Sequence, residues 1–172
     1  MNTHFFDRYS RHCFLLIYLS IWLAGICFGI VTSVNNRVIA IQSLSGACAV
    51  TLSVIPGILA NATAVLMVHF ALRCHKPLIV CILLFLNSFS FAFCGCAIVL
   101  MAGEAAWLIG CLFLFTRVCV FVIMWWMLLH NTLRNMPISR LTLCFFIAVT
   151  CMVSIFDSLF VSPILSESIQ YL

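Results

Sequence analysis

CFLLIYLSIWLAGICFGIV, residues 13–31, runs from Cys13 to Val31 without a single charged side chain. A stretch of this length and apolarity spans a bilayer core of about 30 Å as one helix. Similar stretches recur along the chain with no polar domain between them. Of the 172 residues 66% are hydrophobic and only 7% charged, too little polar surface to clothe a water-soluble domain of this size. The composition specifies an all-α, polytopic transmembrane helical bundle: one transmembrane domain, 1–172, with no room for a soluble catalytic module. Arg8 and Arg11 precede the first run as in a signal sequence. The run is long, however, and no small-residue cleavage pattern follows it, so it reads as a retained helix.

Five spans are expected at roughly 13–34, 49–72, 78–102, 105–130 and 141–162. The links RCHKP, GEA and NTLRNMPISR are short, which makes the helices they join antiparallel neighbours. The ambiguous region is 38–72, long for one helix and short for two. The five-span reading makes 38–48 an interfacial approach and lets Pro56 kink the second helix. Splitting at Pro56-Gly57 gives a six-span alternative.

Basic residues set the orientation. With the N-terminus in the cytoplasm, Arg8, Arg11, Arg73, Lys76, Arg134 and Arg140 fall inside and Arg37 outside, whereas six spans divide them less sharply. The net charge of +4 comes from bases scattered singly or in pairs, a topology signal and not a nucleic-acid surface. Trp107 and Trp125 stand about 27 Å apart along the fourth helix, as two interfacial belts would require.

Most candidate chemistry reduces to packing. Gly25-x-x-x-Gly29 lets a second helix approach closely, within the bundle or between copies. Nearly all of the eleven cysteines lie in apolar runs, where Cys acts as a small hydrophobe. Cys94-Gly95-Cys96, with Cys111 at similar depth, lacks the Cys-x-x-Cys spacing of a thiol oxidoreductase, and no base flanks it in sequence. His69, His75 and His130 stand at span ends without the spacing or the carboxylate that a metal site needs. The glycosylation pattern Asn61-Ala-Thr lies inside a span. No enzyme, cofactor or metal is expected from these residues.

Two polar residues resist this reading. Arg117 stands deep in the fourth span, and Asp157 some five residues inside the outer end of the fifth. Intramembrane charges are costly unless paired, so an Arg117–Asp157 pair is expected, supported by Asn87 with Ser88 or Ser90.

The C-terminal stretch FDSLFVSPIL, residues 156–165, resembles the end of stage II sporulation protein M and its relatives. In that family the last membrane helix closes with an acid, a small residue, an aromatic, a β-branched residue and a proline; here these are Asp157, Ser158, Phe160, Val161 and Pro163. LAGICFGIV and LLFLNSFSFAFCG resemble the family's first and middle helices. The resemblance implies a multi-pass, non-enzymatic protein of the bacterial cytoplasmic membrane that anchors or assembles partners, cell-wall-remodelling proteins among them. The expected environment is the lipid bilayer, with the N-terminus inside and no nucleic acid. The alternative expectation is a small-solute transport component, such as the membrane substrate-binding subunit of a vitamin importer, with Arg117 and Asp157 holding a charged solute.

Overall fold

The computed structural model describes residues 3–43, 54–102, 106–134, 138–161 and 163–164. These residues are helical apart from short turns: α1 (Thr3–Asn35), α2 (Val54–Arg73), α3 (Pro77–Ala102), α4 (Ala106–Arg134) and α5 (Arg140–Phe156), with a π-helical turn at Asp157–Val161. Beyond a turn at Asn36 the chain is helical again over 37–43. Among the described residues four stretches are long and apolar enough to cross a membrane: His12–Asn35, Val54–Arg73, Pro77–Leu100 and Arg140–Val161. Large apolar side chains such as Phe28, Phe70, Leu78, Leu141 and Met152 point outward. On a water-soluble monomer so many would form an untenable patch, whereas in lipid they are the contact surface.

Helix ends follow local chemistry. Pro77 occupies the first position of α3, where its missing N–H costs nothing. Ser139 caps α5, its hydroxyl accepting from the Thr142 N–H at 3.1 Å. The α2–α3 link is a Schellman turn in which the Lys76 N–H reaches the Ala71 carbonyl and the His75 N–H reaches that of Leu72. His75 fills the left-handed position, φ 51°, that glycine usually occupies there.

Pro56 lies in the first turn of α2 as described, Val54–Arg73, where its missing N–H is tolerated; the expected span start near residue 49 lies outside the described residues. Of the region assigned to an interfacial approach, 38–43 is helical and 44–48 lies outside the described residues. The Trp125 indole stacks on Phe121, 6.1 Å between ring centroids, against the core, and α4 continues past it to Arg134. The side chain of Trp107 lies outside the described set.

Packing does not follow chain order. The first helix docks along α3 and also touches α4, but among the described residues it is not packed against α2. Odd-numbered helices run the same way, so α1 and α3 are parallel and their match stays in register. Arg37 donates to the Leu100 carbonyl at 2.6 Å across a separation of 63 positions. Gly25 on Ser88 and Gly29 beside Ala92 repeat that separation. The other major contact is α2 against α5, with α3 and α4 completing the bundle.

The interior divides along the membrane normal. Towards the end where α2 stops and α3 starts, Val65, Val68, Leu72, Val80, Leu84, Met124, Met127 and Leu128 form a dry apolar core. Towards the opposite end, Ser154 and Asp157 are buried and Asn61, Asn87, Cys94 and Arg117 are partly buried, with Ser90 exposed beside them.

Candidate functional site

Arg117 lies about 17 Å along α4 from Ala106, near the middle of the bilayer. It borders a pocket of about 190 Å³ between α2, α3 and α4, open at its rim, where Ala60 and Ser90 are exposed. Asn61 comes to this cavity from α2, and Asn87, Ser90 and Cys94 from α3; Ala60, Ala64, Phe91 and Val120 complete the wall. Residues 87, 90, 91 and 94 recur at three and four positions and thus lie on one face of α3. The helical repeat of LNSFSFAFC therefore puts Asn87, Ser90 and Cys94 on the face that Arg117 borders, while Ser88 faces Gly25 of α1.

These groups also tie helices together. The Asn61 amide donates to the Ser154 hydroxyl at 2.9 Å, joining α2 to α5, and Ser154 in turn donates to the Thr150 carbonyl at 2.8 Å. The Asn87 amide points at the Met124 sulfur, 3.3 Å away, joining α3 to α4. Asn61 is thus engaged inside the bundle, which accounts for its presence in an apolar span.

Asp157 is only 3% exposed and opens the π-helical turn, which packs on α2 and α4. The next residue, Ser158, sits over Gly57 of α2, its hydroxyl 3.5 Å from where a Cβ would stand. Pro163 rationalises the wide turn. With no N–H, and with a ring that would strike the carbonyl four residues earlier, it disfavours a regular last α-turn, and an inserted π turn relieves the conflict. Residues 163–164 are again helical, so Pro163 does not itself stop the chain's helical course. Val161 is buried and Phe160 exposed, its ring 5.1 Å from that of Phe156. Arg117 and Asp157 are each engaged with a partner.

Gly25 and Gly29 face α3 within the same chain. A Cβ at Gly25 would overlap the Ser88 hydroxyl and stand 2.8 Å from the Phe85 carbonyl; one at Gly29 would lie 2.6 Å from the Phe89 carbonyl. The seam is flanked by aromatic pairs, among them Phe28–Phe85 and Phe89–Phe93.

The thiols and imidazoles are placed in ways their sequence neighbours conceal. Cys94 has no basic neighbour along the chain, yet it lies in the field of Arg117 and within hydrogen-bonding reach of Ser90. The Cys111 side chain lies outside the described set. His69 and His75, six positions apart, line one cleft at the dry end of the bundle, while His130 stacks on Trp126 at 4.9 Å. Among the described residues no group of three or more metal-ligating side chains is assembled. Comparison with protein-family models, curated proteins and solved structures finds no match for this chain.

Proposed function

We propose that this protein is a five-span membrane component that binds a small anionic solute in its bundle, as part of a transport or uptake function. Four spans are counted above; α4, 29 residues long and strongly apolar in sequence, is the fifth. The observation that carries the reading is the convergence of Arg117, Asn61, Asn87 and Ser90, from three different helices, on one cavity within the membrane. Intramembrane polar groups are expensive and typically line solute or ion paths. Arginine has five donors, so Arg117 can keep its present partner and still receive a carboxylate. A cavity of about 150 Å³ accepts a molecule the size of benzene, so the solute class is a monocarboxylate of up to about eight heavy atoms.

Purified protein would be tested for thermal stabilisation by a series from acetate to hexanoate, and proteoliposomes for uptake of the labelled acids. Stabilisation that is lost in Arg117→Gln, with an otherwise unchanged melting profile, supports the site. No response to any member of the series defeats it.

A second reading is a membrane scaffold of the sporulation protein M type in the bacterial cytoplasmic membrane. It is favoured by the exposed apolar surface of Phe156, Leu159 and Phe160 at the Asp157–Val161 turn, within the stretch that resembles that family. Co-purification of tagged protein with cell-wall hydrolases supports the scaffold, and co-purification with an ATP-driven transport module supports the solute reading.

A further inference from the structure

Where α2 ends and α5 begins, the bundle opens into a cleft of about 910 Å³. Its polar lining is His69 and Arg73 from α2, His75 from the Schellman turn, Asn131 from α4, and Ser139 and Arg140 at the start of α5. We propose that this cleft binds a phosphate-bearing anion, of the kind presented by acidic phospholipid headgroups and by soluble phosphoesters. The proposal is independent of the solute reading at Arg117, which concerns the other half of the bundle.

Four observations converge on it. The first is charge: among the described residues no acid lines the cleft and neither Arg73 nor Arg140 is paired with a carboxylate. Two guanidinium groups on separate helices offer the forked donor geometry that suits phosphate oxygens. The second is the N-terminus of α5. Ser139 takes up the Thr142 N–H, and the positive end of a helix of 17 residues opens beside Arg140.

The third observation is backbone conformation. His75 is the sole non-glycine residue with positive φ among the described residues, and it occupies the C-terminal cap that glycine fills at lower cost. A histidine kept in that position presents its imidazole to the cleft, which is a use that glycine does not offer. The fourth is size and position. The volume suits a headgroup and not a bare ion. Leu72 and Leu143 beside the polar groups supply the apolar margin that the start of an acyl chain needs. Arg73 and Arg140 stand at helix ends, the depth of lipid phosphates, and basic pockets between helices at this level are established sites for acidic headgroups.

The test uses full-length protein purified and delipidated in detergent, so that membrane orientation plays no part. Native mass spectrometry would compare retention of cardiolipin, phosphatidylglycerol and phosphatidylcholine, with inorganic phosphate and pyrophosphate added as competitors. Wild-type protein should retain the acidic lipids over phosphatidylcholine. The double variant Arg73→Gln/Arg140→Gln should lose at least about tenfold in that retention. Both side chains are exposed, so folding is expected to persist, and circular dichroism checks it. Arg73→Lys/Arg140→Lys should keep part of the binding, which gives a second comparison if the neutral pair unfolds.

Displacement of lipid by millimolar pyrophosphate identifies a soluble phosphoester as the ligand source; resistance to it identifies the lipid. Either outcome supports the cleft. Equal retention of acidic and zwitterionic lipid overturns the proposal. So does an equal loss in Arg134→Gln, an exposed base at the same end that does not line the cleft, because binding would then reflect diffuse charge.

Discussion

Gly25 of α1 lies against Ser88 of α3 so closely that a single added methyl group would overlap the serine hydroxyl. Gly29 repeats the approach one turn later beside Ala92, and Arg37 closes the seam by donating to the Leu100 carbonyl at 2.6 Å. The first helix is thereby held parallel to the third through small residues on both sides, the usual way for two helices to associate in a solvent as apolar as themselves.

Gly25→Ala and Gly29→Ala should each destabilise the protein by about 1–3 kcal/mol, despite alanine's better helix propensity. The two differ in how they can be rescued. Ser88→Ala should recover part of the loss at Gly25, because the nearest obstacle there is a side-chain oxygen. At Gly29 the nearest atom is the Phe89 carbonyl, so trimming Ala92 to glycine should recover little. Thermal unfolding of the detergent-solubilised protein reads both, and equal rescue at the two positions would contradict the geometry.

His75→Gly should raise stability by about 0.5–1 kcal/mol, since φ 51° costs glycine nothing. His75→Ala keeps the Cβ and should give no such gain. The melting midpoints of the two variants measure the difference, which disappears if the Schellman turn is not formed in the protein.

If the buried Asp157 carboxylate neutralises a cation, Asp157→Ala should lower the amount of assembled protein, because the uncompensated charge costs on the order of 3–5 kcal/mol. If Arg117 is that cation, replacing both residues by apolar ones of similar volume should restore much of the loss. Recovery of folding without activity assigns the pair to solute handling. A double variant no better folded than Asp157→Ala shows that the two charges serve different partners.

Topology reporters should read inside after Arg73 and Arg134 and outside at Glu104 and Leu172, following the excess of bases on one side. An inside reading at Leu172 rejects the odd number of spans.

Hydropathy and the links legible in the sequence specified the helices of this protein, their rough lengths and the antiparallel course of α2, α3, α4 and α5. These are one-dimensional properties, fixed by the requirement that every backbone group in lipid be bonded within its own helix. The Gly25 and Gly29 motif marked a close-packing face, and Arg117 and Asp157, with Asn87 and Ser88 or Ser90, stood out as groups too polar for lipid.

Tertiary structure alone decided which faces meet. Helix and lipid are equally apolar, so hydropathy carries no information about lateral neighbours, and short links did not reveal that α1 passes over α2 to lie along α3. The same limit hid the two candidate sites. Asn61 joins Asn87 and Arg117 at one cavity, and His69, His75 and Arg140 share one cleft, only because separate helices are rotated to face each other. Steric fit of small residues and the pairing of a few polar atoms choose that rotation, and both depend on contacts between positions far apart in the chain.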